Sequence, residues 1–267
     1  MKQDKWLLLT IVSCFLGLVG ITALPAYAES EELTIAAASD LNFAFKELIK
    51  DFETQTGERV KLIGGSSGHF STQIANGAPF DLYFSADIAY PKKLIADGFA
   101  VPESLYQYAI GRIVLWVPKG STLDVSKGME VCVDSAVKKL AIANPKHAPY
   151  GKAAVAALEH YQLAGRMADK LVMGQNIAQT AQFVQSGAAD MGIIALSIAL
   201  APTMEQLGKH WLIPADAHPA IEQGAVIVKS SKNQERAKKF LEFMKTAPAR
   251  TVMKRYGFTL PAENLKP

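Results

Sequence analysis

The sequence has 267 residues, of which 49% are apolar and 20% charged, a composition typical of globular proteins and unlike that of disordered or fibrous chains. Its 28 basic and 25 acidic residues are spread along the chain and leave a formal charge of +3, so no nucleic-acid partner and no polybasic membrane patch is expected. Two cysteines are too few for a disulfide framework or a multi-cysteine zinc site.

Residues 1–28 have the three parts of a secretory signal peptide. A basic start precedes an apolar stretch over residues 6–24, and small residues lie at positions −3 and −1 before Glu29. Export with cleavage after Ala28 is therefore predicted. Two alternatives stay open. A stretch of about 19 mostly apolar residues can just span a bilayer as an anchor, and Cys14 lies in a loose lipoprotein box, although the apolar run continues past it.

The rest of the chain alternates short β-rich runs with helical patterns, which is typical of α/β architecture. Strands are predicted over residues 33–38, 60–63, 81–85, 113–117, 140–143, 171–173, 192–195, 211–213 and 225–228. Helices are predicted over residues 43–52, 69–76, 90–97, 151–161, 177–185, 238–244 and 250–256. Gly57 is expected to end the first helix. The run 113–117 is interpreted as a strand that passes from one domain to another.

A strand leads through a turn of small or hydroxyl residues into a helix start at four places. They are Ser39, Ser66-Ser67, residues 144–151 and residues 174–176. A helix start exposes backbone N–H groups with no intrahelical acceptor and a partial positive charge, and serine hydroxyls add further donors. If these turns converge on one cleft, they would bind a compact, fully deprotonated oxyanion. Because Ser and Asn are also good N-caps, capping alone explains each turn taken singly.

The search for catalytic or metal-binding patterns favours a protein that is not an enzyme. H-E-x-x-H, G-x-x-x-x-G-K-[ST] and G-x-G-x-x-G are missing. The five histidines lack metal-ligand spacing, and Cys132 lies between valines, where a structural thiol is expected rather than a nucleophile. No catalytic residue and no cofactor is therefore predicted.

Five segments, taken in order along the chain, carry a resemblance to a known family. They are Ile35-Ala36-Ala37-Ala38-Ser39, Gly65-Ser66-Ser67-Gly68, residues 73–87 with Gly77-Ala78-Pro79-Phe80-Asp81-Leu82, residues 144–151, and Lys254-Arg255-Tyr256-Gly257-Phe258. In combination they resemble the periplasmic molybdate-binding proteins of ABC importers. The likeness covers essentially all of the chain after the signal peptide.

The resemblance implies a fold and a division into domains. The expected fold is α/β, the two-lobed type II periplasmic-binding-protein fold, with each lobe a mixed sheet flanked by helices. Residues 29–109 and 224–267 are expected to form lobe 1, and residues 110–223 lobe 2. The chain is expected to cross between the lobes near Ile110 and near Gln223.

The resemblance also implies a binding site. In this family the dianion is held by hydroxyls and by backbone amides at helix starts, without Arg or Lys. Carried over by position, the first-lobe contacts fall on Ser39 and Ser67, with Ser66 as their neighbour. The second-lobe contacts fall on the backbone amides of Tyr150 and Ile177. Molybdenum is expected only as the bound oxyanion, with no direct protein–metal ligand.

Two positions depart from the family pattern. Some members place a tyrosine hydroxyl on the oxyanion where this chain has Ala195, so Tyr150 is expected to supply an aromatic wall or a replacement hydroxyl. Asp40 is an acid next to the implied anion site. It is expected to point away along the helix start, where a carboxylate is favourable. If it faced the ligand, it would repel a dianion and favour a protonated anion.

The sequence therefore predicts an exported, monomeric receptor that captures molybdate, and also tungstate, and delivers it to the membrane permease of an ABC importer. One alternative is a receptor for another tetrahedral oxyanion such as sulfate. A second alternative is an exported serine-dependent hydrolase with Ser39 or Ser67 as nucleophile, for which His69 is the only histidine in the same turns.

Overall fold

Two five-stranded mixed sheets organise residues 32–261, the part of the chain that this computed structural model describes. Each sheet, with the helices that flank it, forms one lobe. The predictions for residues 1–28, including signal-peptide cleavage and the alternative lipidation of Cys14, lie outside the described residues.

The first lobe is built on a sheet with the spatial order β2-β1-β3-β10-β4. Its strands are β1 (Leu33–Ala38), β2 (Val60–Gly65), β3 (Leu82–Ser85), β4 (Tyr106–Gly111) and β10 (Ile221–Ile227). Strands β1 and β2 run parallel, with Ala38 opposite Gly65. Because parallel strands end at the same edge of a sheet, the turns that follow β1 and β2 lie side by side.

The second lobe repeats this arrangement with the order β7-β6-β8-β5-β9. Its strands are β5 (Ile113–Pro118), β6 (Leu140–Ala143), β7 (Leu171–Gly174), β8 (Met191–Ala195) and β9 (Gly208–Leu212). Strands β6 and β7 are parallel and end with Ala143 opposite Gly174. The turns after β6 and β7 are therefore also neighbours, at the edge that faces the first lobe.

Most helices coincide with the predicted amphipathic segments. Their apolar faces are buried against the sheets. In chain order they are α1 (Asn42–Thr56), α2 (Ser67–Ala75), α3 (Ala89–Ala96), α4 (Pro149–His160), α5 (Ala164–Met167), α6 (Ile177–Gln185), α7 (Leu196–Ala199), α8 (Pro202–Glu205), α9 (Gln234–Lys245) and α10 (Ala247–Arg255). Short 3-10 helices include Ser39–Leu41 and Val125–Val133. Gly57 ends α1 with φ of 71°, as predicted, because only glycine adopts this conformation without steric cost.

The course of the chain between the lobes differs from the sequence interpretation. Strand β5 pairs with β8 and β9 over its length and lies wholly in the second sheet, so the interpretation of residues 113–117 as a crossing strand is wrong. The preceding strand β4, Tyr-Gln-Tyr-Ala-Ile-Gly, was not predicted, although alternation and the Tyr and Ile residues favour a strand. The chain passes from the first sheet to the second at Arg112 and returns before β10. The residue boundaries given above for the two lobes stay a prediction.

Two further features concern Cys132 and the helices. Cys132 is free and buried, and burial raises the pKa of its thiol to about 12, as expected of a structural rather than a reactive cysteine. Within residues 32–261, no helix combines the length and the apolar character needed to cross a bilayer.

Candidate functional site

A small cavity lies between the two lobes, where the strand ends of the two sheets face each other. Its empty volume is about 190 Å³. The residues that line it are Ala38, Ser39, Asp40, Gly65, Ser66, Ser67, Ala86, Ala148, Pro149, Tyr150, Asn176 and Ile177. The five residues singled out from the sequence are all in this set, so the fold brings them together from four separate turns.

Ser39 follows β1 and is only 2% exposed. Its Oγ accepts a hydrogen bond of 3.2 Å from the backbone N–H of Ala178, the second residue of α6 in the other lobe. A serine hydroxyl has one proton to donate and two lone pairs. Within the described part of the chain no acceptor takes the proton of Ser39, so this hydroxyl is left free to donate into the cavity.

Ser67 is the first residue of α2 and is fully buried. Its Oγ accepts a hydrogen bond of 3.0 Å from the backbone N–H of Ala86, just beyond β3. The phenol of Tyr83 on β3 donates to the carbonyl oxygen of Ser67 at 2.7 Å and fixes the start of the helix. Ser67 therefore has the same pattern as Ser39: an N–H occupies one lone pair, and residues 32–261 supply no acceptor for the hydroxyl proton.

Ser66, although adjacent, is used differently. Its backbone is extended, with φ of −89° and ψ of 135°. Its Oγ donates to the carbonyl oxygen of His147 at 2.6 Å and lies 3.0 Å from Nδ1 of the same residue. Because its proton is already engaged across the cleft, Ser66 holds the two lobes together and has no proton left for a ligand.

Ser39 and Ser67 lie on one wall of the cavity, called the first wall. The opposite wall, called the second wall, consists of two helix starts. Pro149 is the first residue of α4, a position that suits proline, and Asn176 caps α6 by accepting from the N–H of Gln179 at 3.0 Å. The N–H groups of Tyr150 and Ile177 lie in the first turns of these helices, where no intrahelical carbonyl can receive them. This wall therefore offers backbone donors where the first wall offers hydroxyls.

From the sequence, Asp40 was expected to point away along the helix start. In the structure it is instead fully buried at the back of the cavity. Its Oδ2 accepts from the hydroxyl of Tyr150 at 2.9 Å and from Nε2 of Gln223 at 2.8 Å, and that Nε2 also lies 3.0 Å from the Tyr150 hydroxyl. Burial raises the pKa of Asp40 to about 6, against the opposing effect of these hydrogen bonds. We call Asp40, Tyr150 and Gln223 the hinge cluster, because Gln223 lies on the strand by which the chain returns to the first lobe.

The hinge cluster shows whether the hydroxyl of Tyr150 can replace the donor that is missing at Ala195. Its hydroxyl proton goes to Asp40, so in this arrangement it is not a free replacement donor. Burial and the neighbouring carboxyl raise the pKa of Tyr150 well above the ordinary value, which keeps the phenol protonated. What Tyr150 presents to the cavity is its backbone amide and the side of its ring.

Further contacts join the two lobes around the cavity. The N–H of Gly68 donates to the carbonyl oxygen of His147 at 2.9 Å, and the hydroxyl of Ser197 donates to the carbonyl oxygen of Asp40 at 2.8 Å. The imidazole rings of His69 and His147 stack with centroids 3.8 Å apart. The lobes are therefore closed on the cavity in this structure.

Residues 33–259 match a single family, described as bacterial extracellular solute-binding proteins. The chain belongs to this family. Its sequence is 37% identical to the molybdate-binding protein ModA of Rhodobacter capsulatus over 243 residues, which cover 91% of this chain and 93% of the relative. It is 38% identical to ModA of Azotobacter vinelandii over 242 residues, with 91% and 95% covered.

A solved structure supports the same assignment. The periplasmic molybdate-binding protein of Azotobacter vinelandii superposes with a TM-score of 0.80 at 37% identity, covering 86% of this chain and all of that one. The predicted fold, a two-lobed type II periplasmic-binding-protein fold, is thus confirmed. Membership of an extracellular solute-binding family implies export, and the named relatives are binding proteins rather than enzymes.

One serine motif escaped the sequence analysis. Residues 64–68, Gly-Gly-Ser-Ser-Gly, have G-x-S-x-G spacing with Ser66 at the nucleophile position, between a strand and a helix as in hydrolases. That turn is sharp and strained in hydrolases, whereas Ser66 has relaxed extended angles and donates its proton to a carbonyl oxygen. A hydrolase would also need a base beside its nucleophile. His69, the only histidine in the same turns, stacks on His147 and does not bond to Ser39 or Ser67. The geometry is that of a solute-binding protein.

The remaining expectations concern metals and Ala195. Within the described residues, no group of three or more His, Cys, Asp or Glu side chains could hold a metal ion. Ala195 ends β8, is fully buried and has no hydroxyl to contribute.

Sequence reasoning missed Gln223 and Ser197 as parts of the site. The available signal for Gln223 was a polar amide next to a run of small and apolar residues, Gly224 to Val228.

Proposed function

We propose that this solute-binding protein captures molybdate, and also tungstate, between its two lobes and delivers it to the membrane permease of an ABC importer. The observation that carries the proposal is the pair of buried hydroxyls, on Ser39 and Ser67, each of which accepts from a backbone N–H and so keeps its own proton available for a ligand in the cavity. The relatives named above, which bind molybdate, support the choice of ligand.

The chemistry of the cavity suits a tetrahedral dianion. Ser39 and Ser67 would donate from the first lobe, and the N–H groups of Tyr150 and Ile177 from the second. Such donors need a ligand with acceptor oxygens only, because a ligand proton would meet another donor and leave an unsatisfied buried contact, at roughly 1–3 kcal/mol. Phosphate, which keeps a proton at neutral pH, is therefore a poor ligand for this site, and no protein atom need touch the molybdenum itself.

Capture between lobes also explains the cross-lobe contacts. Ser66, Gly68 and His147 form a rim that closes over the cavity without using the two free hydroxyls. A ligand that bonds to both walls adds to these contacts and stabilises the closed form. Delivery then requires the rim to open at the permease. We further propose export by cleavage after Ala28 and action as a monomer, with no nucleic-acid partner.

The test is a calorimetric titration of the mature protein with molybdate, tungstate, sulfate and phosphate, together with a thermal shift series. Molybdate and tungstate should bind tightly and raise the melting temperature, since only the folded state holds the ligand; an anion at 1,000 times its dissociation constant adds about 4 kcal/mol. Phosphate should produce little shift. Tight sulfate binding without molybdate binding would establish the alternative receptor, and turnover of an ester substrate lost in Ser39→Ala or Ser67→Ala would establish the hydrolase.

A further inference from the structure

Two buried acceptor atoms of the hinge cluster have no hydrogen-bond donor. Within residues 32–261, Oδ1 of Asp40 and Oε1 of Gln223 are both buried and without a partner, although the same two side chains are joined through Nε2 and Oδ2 at 2.8 Å. Both residues are fully buried. A buried acceptor left unpaired costs roughly 1–3 kcal/mol, and more when it carries charge. In the carboxylate form, Asp40 therefore has one buried oxygen, Oδ1, without a hydrogen-bond donor.

A proton on Asp40 would remove the negative charge from this buried, incompletely paired carboxyl group. A neutral Asp40 keeps an acceptor oxygen for Tyr150 and Gln223 and turns Oδ1 into a donor, which an amide oxygen or a ligand oxygen can accept. An oxyanion with two negative charges in the adjoining cavity favours the same neutral form, because like charges in a buried site repel. We propose that Asp40 is a neutral carboxylic acid in the anion-loaded receptor, so that capture of the oxyanion takes up one proton from solution. This inference rests on the proposed function.

No positively charged side chain is among the causes that shift the pKa of Asp40. The titratable groups that act on it are the phenols of Tyr150 and Tyr108, and burial raises the pKa of both well above the usual value, so that they stay uncharged. Helix α7 presents only the Ser197 hydroxyl, which bonds to the carbonyl oxygen of Asp40. Among the charged side chains on the surrounding elements, Lys46 on α1, Lys61 on β2, Lys152 on α4 and Glu222 on β10 are exposed to solvent. Arg112, between β4 and β5, is half-buried, and within residues 32–261 its Nε is buried without a hydrogen-bond partner.

The sign of the pH dependence follows. Burial raises the pKa of Asp40 to about 6 in the receptor, so the side chain is mostly ionised at pH 7.5 before the anion binds. The anion raises this pKa further. Between the two pKa values binding takes up a proton, and the affinity falls by up to about tenfold per pH unit as the pH rises. Below pH 6 Asp40 is already neutral, and this dependence disappears.

The experiment is a calorimetric titration of the wild-type protein with molybdate at pH 7.5 in two buffers of different ionisation enthalpy. We expect the heats to differ by the amount that corresponds to uptake of nearly one proton, and the affinity to fall steadily from pH 6.5 to 8.5. Tungstate should behave in the same way. Buffer-independent heats with tight binding would overturn the inference and leave the proposed function intact, whereas no binding of any oxyanion would overturn both.

Two variants locate the proton. Asp40→Asn copies the neutral acid, with one oxygen acceptor and an N–H₂ donor, so it should still bind molybdate, with proton uptake near zero and an affinity that no longer changes with pH. Asp87→Asn is the matched control, because Asp87 lies beside the same cleft but pairs with exposed Lys152 at 3.5 Å, and it should keep the wild-type proton uptake. Undiminished proton uptake in Asp40→Asn would overturn the assignment.

Discussion

The two walls of the cavity offer hydrogen-bond donors from different parts of the chain. The first wall offers side-chain hydroxyls, those of Ser39 and Ser67, each of which accepts a hydrogen bond from a backbone N–H. The second wall offers backbone N–H groups at the starts of α4 and α6, so the donors there do not belong to the side chains of Tyr150 and Ile177. A side-chain substitution can therefore remove a donor from the first wall without moving the backbone. For the second wall, the test is to change how the two walls meet.

The largest expected effect comes from removing both hydroxyls. In the proposed complex, Ser39→Ala and Ser67→Ala would each delete a charge-assisted hydrogen bond to the anion, at roughly 1.5–3 kcal/mol, or about one to two decades in affinity. The double variant should lose about two to four decades by the same magnitudes. Calorimetric titration with molybdate measures this loss. Unchanged affinity in both single variants would place the anion elsewhere in the molecule.

The two single variants should also differ in their effect on the stability of the empty protein. Ser67→Ala removes the acceptor of the Ala86 N–H within the same lobe, so it should lower the melting temperature of the empty protein. Ser39→Ala removes the acceptor of the Ala178 N–H in the opposite lobe, which water can satisfy once the cleft opens. We therefore expect a smaller loss of stability for Ser39→Ala. Equal losses would contradict a lobe-separated role for the two serines.

A second prediction tests whether the walls must meet. A methyl group on Gly68 would lie 2.8 Å from the carbonyl oxygen of His147 and 2.8 Å from the hydroxyl of Tyr90, both closer than van der Waals contact. The contact with His147 crosses between the lobes and so acts on the closed form alone. Gly68→Ala should therefore hinder closure and weaken molybdate binding by roughly 5- to 150-fold, as expected from roughly 1–3 kcal/mol of overpacking.

The control for Gly68→Ala is Gly165→Ala in α5, where the added methyl group contacts nothing within 4 Å. It should leave affinity unchanged. Small-angle scattering with and without molybdate supplies the second measurement: wild type and Gly165→Ala should compact on binding, and Gly68→Ala should compact less. Full compaction and affinity in Gly68→Ala would mean that the lobes do not need to close as this structure shows them.

The smallest effect is expected from Ser66. Its proton goes to the carbonyl oxygen of His147, so Ser66→Ala removes a neutral hydrogen bond of about 0.5–1.5 kcal/mol from the closed form and no donor from the ligand. Molybdate affinity should fall only a few-fold, measured beside Ser67→Ala at the same pH. A loss as large as that of Ser67→Ala would show that Ser66 turns its hydroxyl to the anion on binding.

Much of the first wall was present in the sequence. Strand, small-residue turn and helix start follow each other within a few residues at Ser39 and at Ser66-Ser67, and local propensities and capping preferences fix these features. Parallel pairing of β1 with β2, and of β6 with β7, then places the turns together. The sequence by itself thus determined the α/β class, the turns that follow the strands and the residue types in those turns, whereas strand pairing brought the turns together.

Only the tertiary structure decided how each polar group is used. Ser66 and Ser67 are adjacent and chemically identical, yet their hydroxyls are used differently. Ser66 donates its proton to His147, whereas Ser67 only accepts from a backbone N–H, because their partners come from distant segments. Asp40, Tyr150 and Gln223 likewise meet across 110 and 73 residues of chain. Hydrogen-bond direction and burial depend on which segments pack together, and local sequence patterns do not contain that information.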